Sequence, residues 1–178
     1  MKYISRTLLI GVALLTLACS GASELANKST SVNNTLYPTW YGAYEFYSDS
    51  TRFFARATAV SSDSKTAELR AEKEARALLE SYIAEELEDV RKELSRDGSS
   101  IVKEFGFILM LRNAHYKIEE SAEVSFTESV MKDGIYRGFA KVEISMNEVR
   151  ELLENGLKSN SGYKNEFMNS AGLKEFLK

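Results

Sequence analysis

The sequence predicts an α+β fold: a small antiparallel sheet packed against a long N-terminal helix and one or two further helices. Three observations carry this expectation. Phe53 to Val60 (FFARATAV) alternates with the period of a strand, placing Phe53, Ala55, Ala57 and Ala59 on one face and Phe54, Arg56, Thr58 and Val60 on the other. From Lys65 to about Ser95 the apolar residues recur at helical spacing. Two further alternating runs flank Asp133-Gly134, a turn dipeptide, and together they read as a hairpin.

Ahead of the fold, Lys2 and Arg6 precede an apolar run of 12 residues, Thr7 to Ala18, which ends at Cys19. That run is a signal-peptide core and is shorter than the roughly 20 residues of a membrane-spanning helix. Cys19 is the only cysteine in 178 residues, so it has no internal disulfide partner, and no cluster of soft metal ligands surrounds it. Its setting, between Ala18 and Ser20-Gly21, resembles a bacterial lipobox, whose cysteine is acylated and becomes the first residue of the mature chain. Residues 1–18 are therefore expected to be a lipoprotein signal peptide, Cys19 the lipidation site, and the membrane a partner through the acyl chains. An ordinary signal peptide cleaved near Ala18 or Ala22, or an uncleaved anchor, are the alternatives. Ser20 in place of aspartate, by its resemblance to Gram-negative sorting signals, implies the outer membrane.

Loss of residues 1–18 would remove two of the 23 basic residues and leave 21 against 26 acidic ones, a net charge of 21 − 26 = −5. An acidic chain without basic clusters excludes nucleic acid as the natural partner and gives no electrostatic hold on anionic lipid. Residues 19–37, rich in Ser, Asn, Thr and Ala, read as a flexible tether. The domain proper is expected over 38–158 and a polar C-terminal tail over 159–178, whose short amphipathic end at Leu173, Phe176 and Leu177 either docks on the core or stays mobile.

Eight of the 19 aromatic residues lie between Tyr37 and Phe54. Within this group Tyr37, Trp40, Tyr41, Tyr44 and Tyr47 are the candidate binding surface, since Trp and Tyr anchor interfaces and stack on sugar rings; the alternative is that they seal the core. After the alanine-faced strand, Ser61-Ser62-Asp63-Ser64 offers N-caps to the long helix. Ala71, Ala75, Leu78, Leu79, Tyr82, Ile83, Leu87, Val90 and Leu94 form its apolar stripe, and Glu72–Arg76 and Glu88–Lys92 are spaced to pair. At roughly 45 Å such a helix could project, offering Leu87, Val90 and Leu94 to a second subunit. Asp97-Gly98 ends it.

Ile101 to Arg112 (IVKEFGFILMLR) reads as a second helix with Ile101, Val102, Phe105, Ile108 and Leu109 on its face, the alternative being a buried strand over Phe107–Leu111. In the hairpin, the first strand alternates from Ile118 to Phe126 and the second from Tyr136 to Ser145. A three-residue loop, Lys132-Asp133-Gly134, pairs Val124 with Val142 and Phe126 with Ala140, keeping the apolar faces together. Ser145 with Glu148 forms a capping box for a closing helix lined by Val149, Leu152, Leu153 and Leu157.

Residues suited to chemistry are sparse. His115 is the one histidine, and no G-x-S-x-G elbow surrounds any serine. Glu119, Glu120 and Glu123 could pair as acids, but Glu119 and Glu123 fall on the polar face of an alternating strand and read as solvated. No EF-hand loop and no glycine-rich phosphate loop is present. No catalytic residue, metal ligand or cofactor is assigned.

Pro38-x-Trp40, then Phe53–Val60 running into SSDSKTAELRAEKEARALL, and finally YRGFAKVEIS resemble the bacterial LPP-twenty lipoproteins, the twenty-kilodalton membrane-associated family, over about residues 38–157. The first strand departs from the family, many members of which carry a glycine where this chain has Arg56 or Ala57. The resemblance implies a small α+β domain in the cell envelope with no shared enzymatic activity, some members being antigens and some serving flagella or motility. The expected function is that of a membrane-anchored, non-enzymatic binding or structural module, with an envelope protein or a second copy as partner. An accessory role in flagellar or motility assembly is the alternative, and a cell-envelope hydrolase is a third reading.

Overall fold

The structure, a computed structural model, describes residues 36–178. The signal peptide, Cys19 and all but the last two residues of the tether lie outside the described residues. The fold is α+β, as the sequence predicts. Four antiparallel strands, β1 (Phe46–Ser48), β2 (Arg52–Ser61), β3 (Glu123–Lys132) and β4 (Ile135–Ser145), stand in the order β1-β2-β4-β3. Five helices accompany them among the described residues: α1 (Ser64–Arg96), α2 (Phe105–Ser121), α3 (Met146–Leu157), α4 (Ser161–Met168) and α5 (Ala171–Phe176). None of these is long and apolar enough to cross a membrane.

The sheet and α1 meet through small residues. Ala55 and Ala57 of β2 pair with Val142 and Ala140 of β4, and all four are buried against Ala67, Ala71 and Ala75 of α1. At Gly138 of β4 the approach is closest, because a Cβ there would collide with the backbone of Ala67 and Glu68. Asp63 is the N-cap, its carboxylate accepting from the Thr66 amide at 2.7 Å, and α1 stops at Asp97 ahead of Gly98, whose φ is +96°. Of the two expected ion pairs, Glu72–Arg76 forms at 3.0 Å, whereas Glu88 takes Arg91 at 2.7 Å and Lys92 takes Asp89 at 2.8 Å. Arg91 also donates to the Val102 carbonyl, an additional bond that draws it toward this side of the helix.

The hairpin corrects the expected loop. The turn has two residues, Asp133 at φ 53° and Gly134 at φ 78°, and Lys132 pairs with Ile135. Positive φ at both positions is the type I′ geometry, whose twist matches that of the strands. The extra residue is absorbed within β3, where the register shifts between Val124 and Phe126: Val124 still faces Val142, but Phe126 faces Lys141 and not Ala140.

Ile101–Arg112 is helical only in part. Ile101–Lys103 makes a single 3-10 turn, and α2 runs on to Ser121, taking Ile118 through Ser121 out of the expected strand. The reason is burial: Phe107, Leu111, Ala114 and Ile118 form one stripe against α1 and α3. The expected face holds only at its start: Val102 is buried and Ile101 packs against the core, whereas Phe105, Ile108 and Leu109 point outward, Phe105 being 78 % exposed.

The C-terminal residues belong to the domain. Asn160 and Ser170 cap α4 and α5, and Tyr163, Phe167, Leu173 and Leu177 are buried. Helix α5 packs against the far end of α1, covering Val90, so this end neither projects nor waits for another subunit.

Candidate functional site

One face of the sheet takes α1; the other carries the aromatic residues. Phe54, Arg56, Phe126, Glu128, Arg137, Phe139, Lys141 and Glu143 alternate onto this outer face, and residues 37–45 lie over it as a strap that leads into β1. A turn closed by the Tyr41 amide on the Pro38 carbonyl (3.0 Å) starts the strap. Tyr41 and Tyr37 meet Phe139 edge-on at 5.0 and 5.5 Å between centroids. Trp40 stacks on Phe126 at 5.4 Å, and its indole N–H donates to Glu128 at 3.2 Å. Tyr47 stacks on Phe54 at 4.6 Å, whereas Phe46, one residue earlier in β1, turns to the helix side and stacks on Tyr82.

Cations are threaded among the rings. Arg56 lies 4.4 Å over the Tyr47 ring and donates to its hydroxyl; Lys141 sits 4.4 Å over Phe54 and pairs with Glu143, which also takes Arg52. Arg137 donates to the Tyr37 hydroxyl at 2.9 Å. Burial, reinforced by the nearby Glu45 carboxylate, pushes the Tyr41 hydroxyl above its ordinary pKa, so it stays protonated at neutral pH.

Of the five candidate residues, the structure brings Tyr37, Trp40 and Tyr41 into one cluster and sets Tyr47 on Phe54 further along the same face. Trp40, Tyr41 and Tyr47 are half-buried and seal Phe54 and Phe139. Tyr37, Tyr44 and Phe126 are 44 %, 75 % and 49 % exposed. The five are thus divided between rings that seal the core and rings left exposed. The arrangement offers flat apolar contact rimmed by guanidinium and carboxylate groups.

The residues considered for acid–base chemistry do not converge. His115 is half-buried on α2; burial depresses its pKa against the opposing pull of Glu88, and its Nε2 makes no hydrogen bond. Glu119 and Glu120 sit with Arg76 and Tyr116 at a shallow cleft, on α2 and not on a strand. Glu123 is exposed at the start of β3. Among the described residues no three His, Cys, Asp or Glu side chains are close enough to hold a metal ion.

Two further surfaces stand out. Phe105, Ile108, Leu109 and Tyr116 lie exposed along α2, and β3 leaves its outer edge open. The signal for the first was the run Phe105–Leu111, apolar but for Gly106, whose side chains a helix with one buried face cannot all cover. Comparison with protein-family models, with curated proteins and with solved structures found no match.

Proposed function

We propose that this chain is a lipid-anchored envelope protein, held at a membrane through Cys19, whose α+β module acts by binding and not by catalysis. The observation that carries the reading is the order of the sequence: a basic start, 12 apolar residues, a lone cysteine before Ser-Gly, then a polar tether leading to a folded module. Two or more acyl chains, at about 0.8 kcal/mol per buried methylene, would give stable attachment without a spanning helix. The resemblance to the LPP-twenty lipoproteins supports the same reading, as does the Ser20 position for the outer membrane. The binding face is the open part of the aromatic layer, Tyr37, Tyr44 and Phe126 beside Trp40, and its partner is a protein of the envelope.

Cys19→Ala in the full chain is expected to abolish labelled palmitate incorporation and to move the protein from the detergent phase to the aqueous phase. Retention in the detergent phase would overturn the anchor. Tyr44→Ala is expected to weaken capture of an envelope partner by intact-cell cross-linking while leaving the melting temperature unchanged.

A further inference from the structure

β3 is the outermost strand on its side of the sheet. The turn decides which of its backbone groups are open. In a two-residue hairpin the flanking residues, Lys132 and Ile135, exchange both hydrogen bonds, so Lys132, Val130, Glu128 and Phe126 direct their amides and carbonyls at β4. Met131, Ser129 and Thr127 direct theirs outward, and no backbone hydrogen bond from another element reaches them among the described residues. Along the edge exposed apolar side chains, Phe126 at 49 % and Met131 at 62 %, alternate with the charges of Glu128 and Lys132. Sheet edges are usually blunted by bulges, charge or cover. Here the bulge lies at the far end, between Val124 and Phe126, and leaves Phe126–Lys132 in regular register.

We propose that this edge pairs antiparallel with the same edge of a second copy, about a two-fold axis through Val130. In that register Glu128 stands opposite the partner's Lys132, and by symmetry Lys132 stands opposite the partner's Glu128. Val130 faces the partner's Val130, and Ser129 and Met131 exchange backbone hydrogen bonds with their counterparts. Neighbouring registers are poorer. A centre on Glu128 sets two carboxylates face to face, and centres on Thr127 or Ser129 leave both charges without a cross-strand counterpart. Trp40 occupies one oxygen of Glu128, so the other remains for the lysine. The far edge of the sheet is β1, only three residues long, which makes it a poor template; the assembly therefore closes as an isologous dimer with one continuous sheet.

The inference does not depend on the anchor, and its test is built to keep the two apart. Val130→Cys is introduced into the full chain carrying Cys19→Ser, so that one thiol is present, and is oxidised mildly in detergent extract. The two β-carbons of a non-hydrogen-bonded pair lie about 4.5–5.5 Å apart, near enough for a disulfide with slight adjustment. A homodimer band is expected, absent from the matching Val60→Cys control. Lys132→Glu is expected to weaken dimerisation by about tenfold or more, read by light scattering, and the double exchange Glu128→Lys with Lys132→Glu to restore it. A monomer with unchanged melting temperature, a cross-link to a different protein, or indifference to Lys132→Glu would overturn the proposal.

Discussion

Gly138 shows how much one residue can decide. The sheet and α1 are brought together by alanines on both sides, and at Gly138 even a methyl group would meet main chain instead of a movable side chain. Gly138→Ala is therefore expected to cost about 3 kcal/mol, read as a lowered urea midpoint with unchanged slope. The alanine face of β2 was legible in the sequence, because a period of two is a local property. The demand for glycine at position 138 was not, since it depends on which turn of α1 lands there. Trp40 and Tyr41 were likewise visible as a cluster. Their division into sealing rings and exposed Tyr44 depended on where Phe126 and Phe139 surface on the sheet.

At the level of elements, strong periodicity was read well and mixed periodicity was not. Helix α1 runs from Ser64 to Arg96, within a residue of the expected bounds, because its stripe is long and flanked by an N-cap and a glycine. In α2 the run Phe105–Leu111, apolar but for Gly106, gave no phase, so its buried face was misassigned; packing against α1 and α3 selects Phe107, Leu111, Ala114 and Ile118. The hairpin shows a second kind of ambiguity. Either a longer loop or a bulge could reconcile the faces, and the left-handed preference of Asp133-Gly134 settles for the bulge. Helices α4 and α5 are too short to form alone and exist through docking, so local sequence could not announce them. Deleting residues 159–178 is expected to uncover Val90 and Phe107, lower stability by roughly 4 kcal/mol and raise binding of a hydrophobic dye. The measurement is urea unfolding alongside dye fluorescence. A deletion that leaves both unchanged would mean the tail contributes nothing to the core.

For the whole molecule, the layers run strap, sheet, α1 and then the outer helices, and His115 lies on α2 within reach of the Glu88 carboxylate of α1. Burial lowers its pKa below that of the unfolded chain, so the unfolded state takes up the proton first. Its contribution is present above the unfolded value, near pH 6.5, and is lost as the pH falls through the folded value. Melting temperature is thus expected to drop as the pH falls below about 6.5, and His115→Gln to flatten that drop. A pull on the chain from its N-terminal side has a different effect, since it enters the fold through the strap. β1 is held to β2 by three residue pairs, while β2 and β4 share ten, so the strap and then β1 would peel away with the central sheet intact. The length released, roughly 40 Å for a dozen residues, would make the strap an extensible fuse that gives slack before the domain itself is strained.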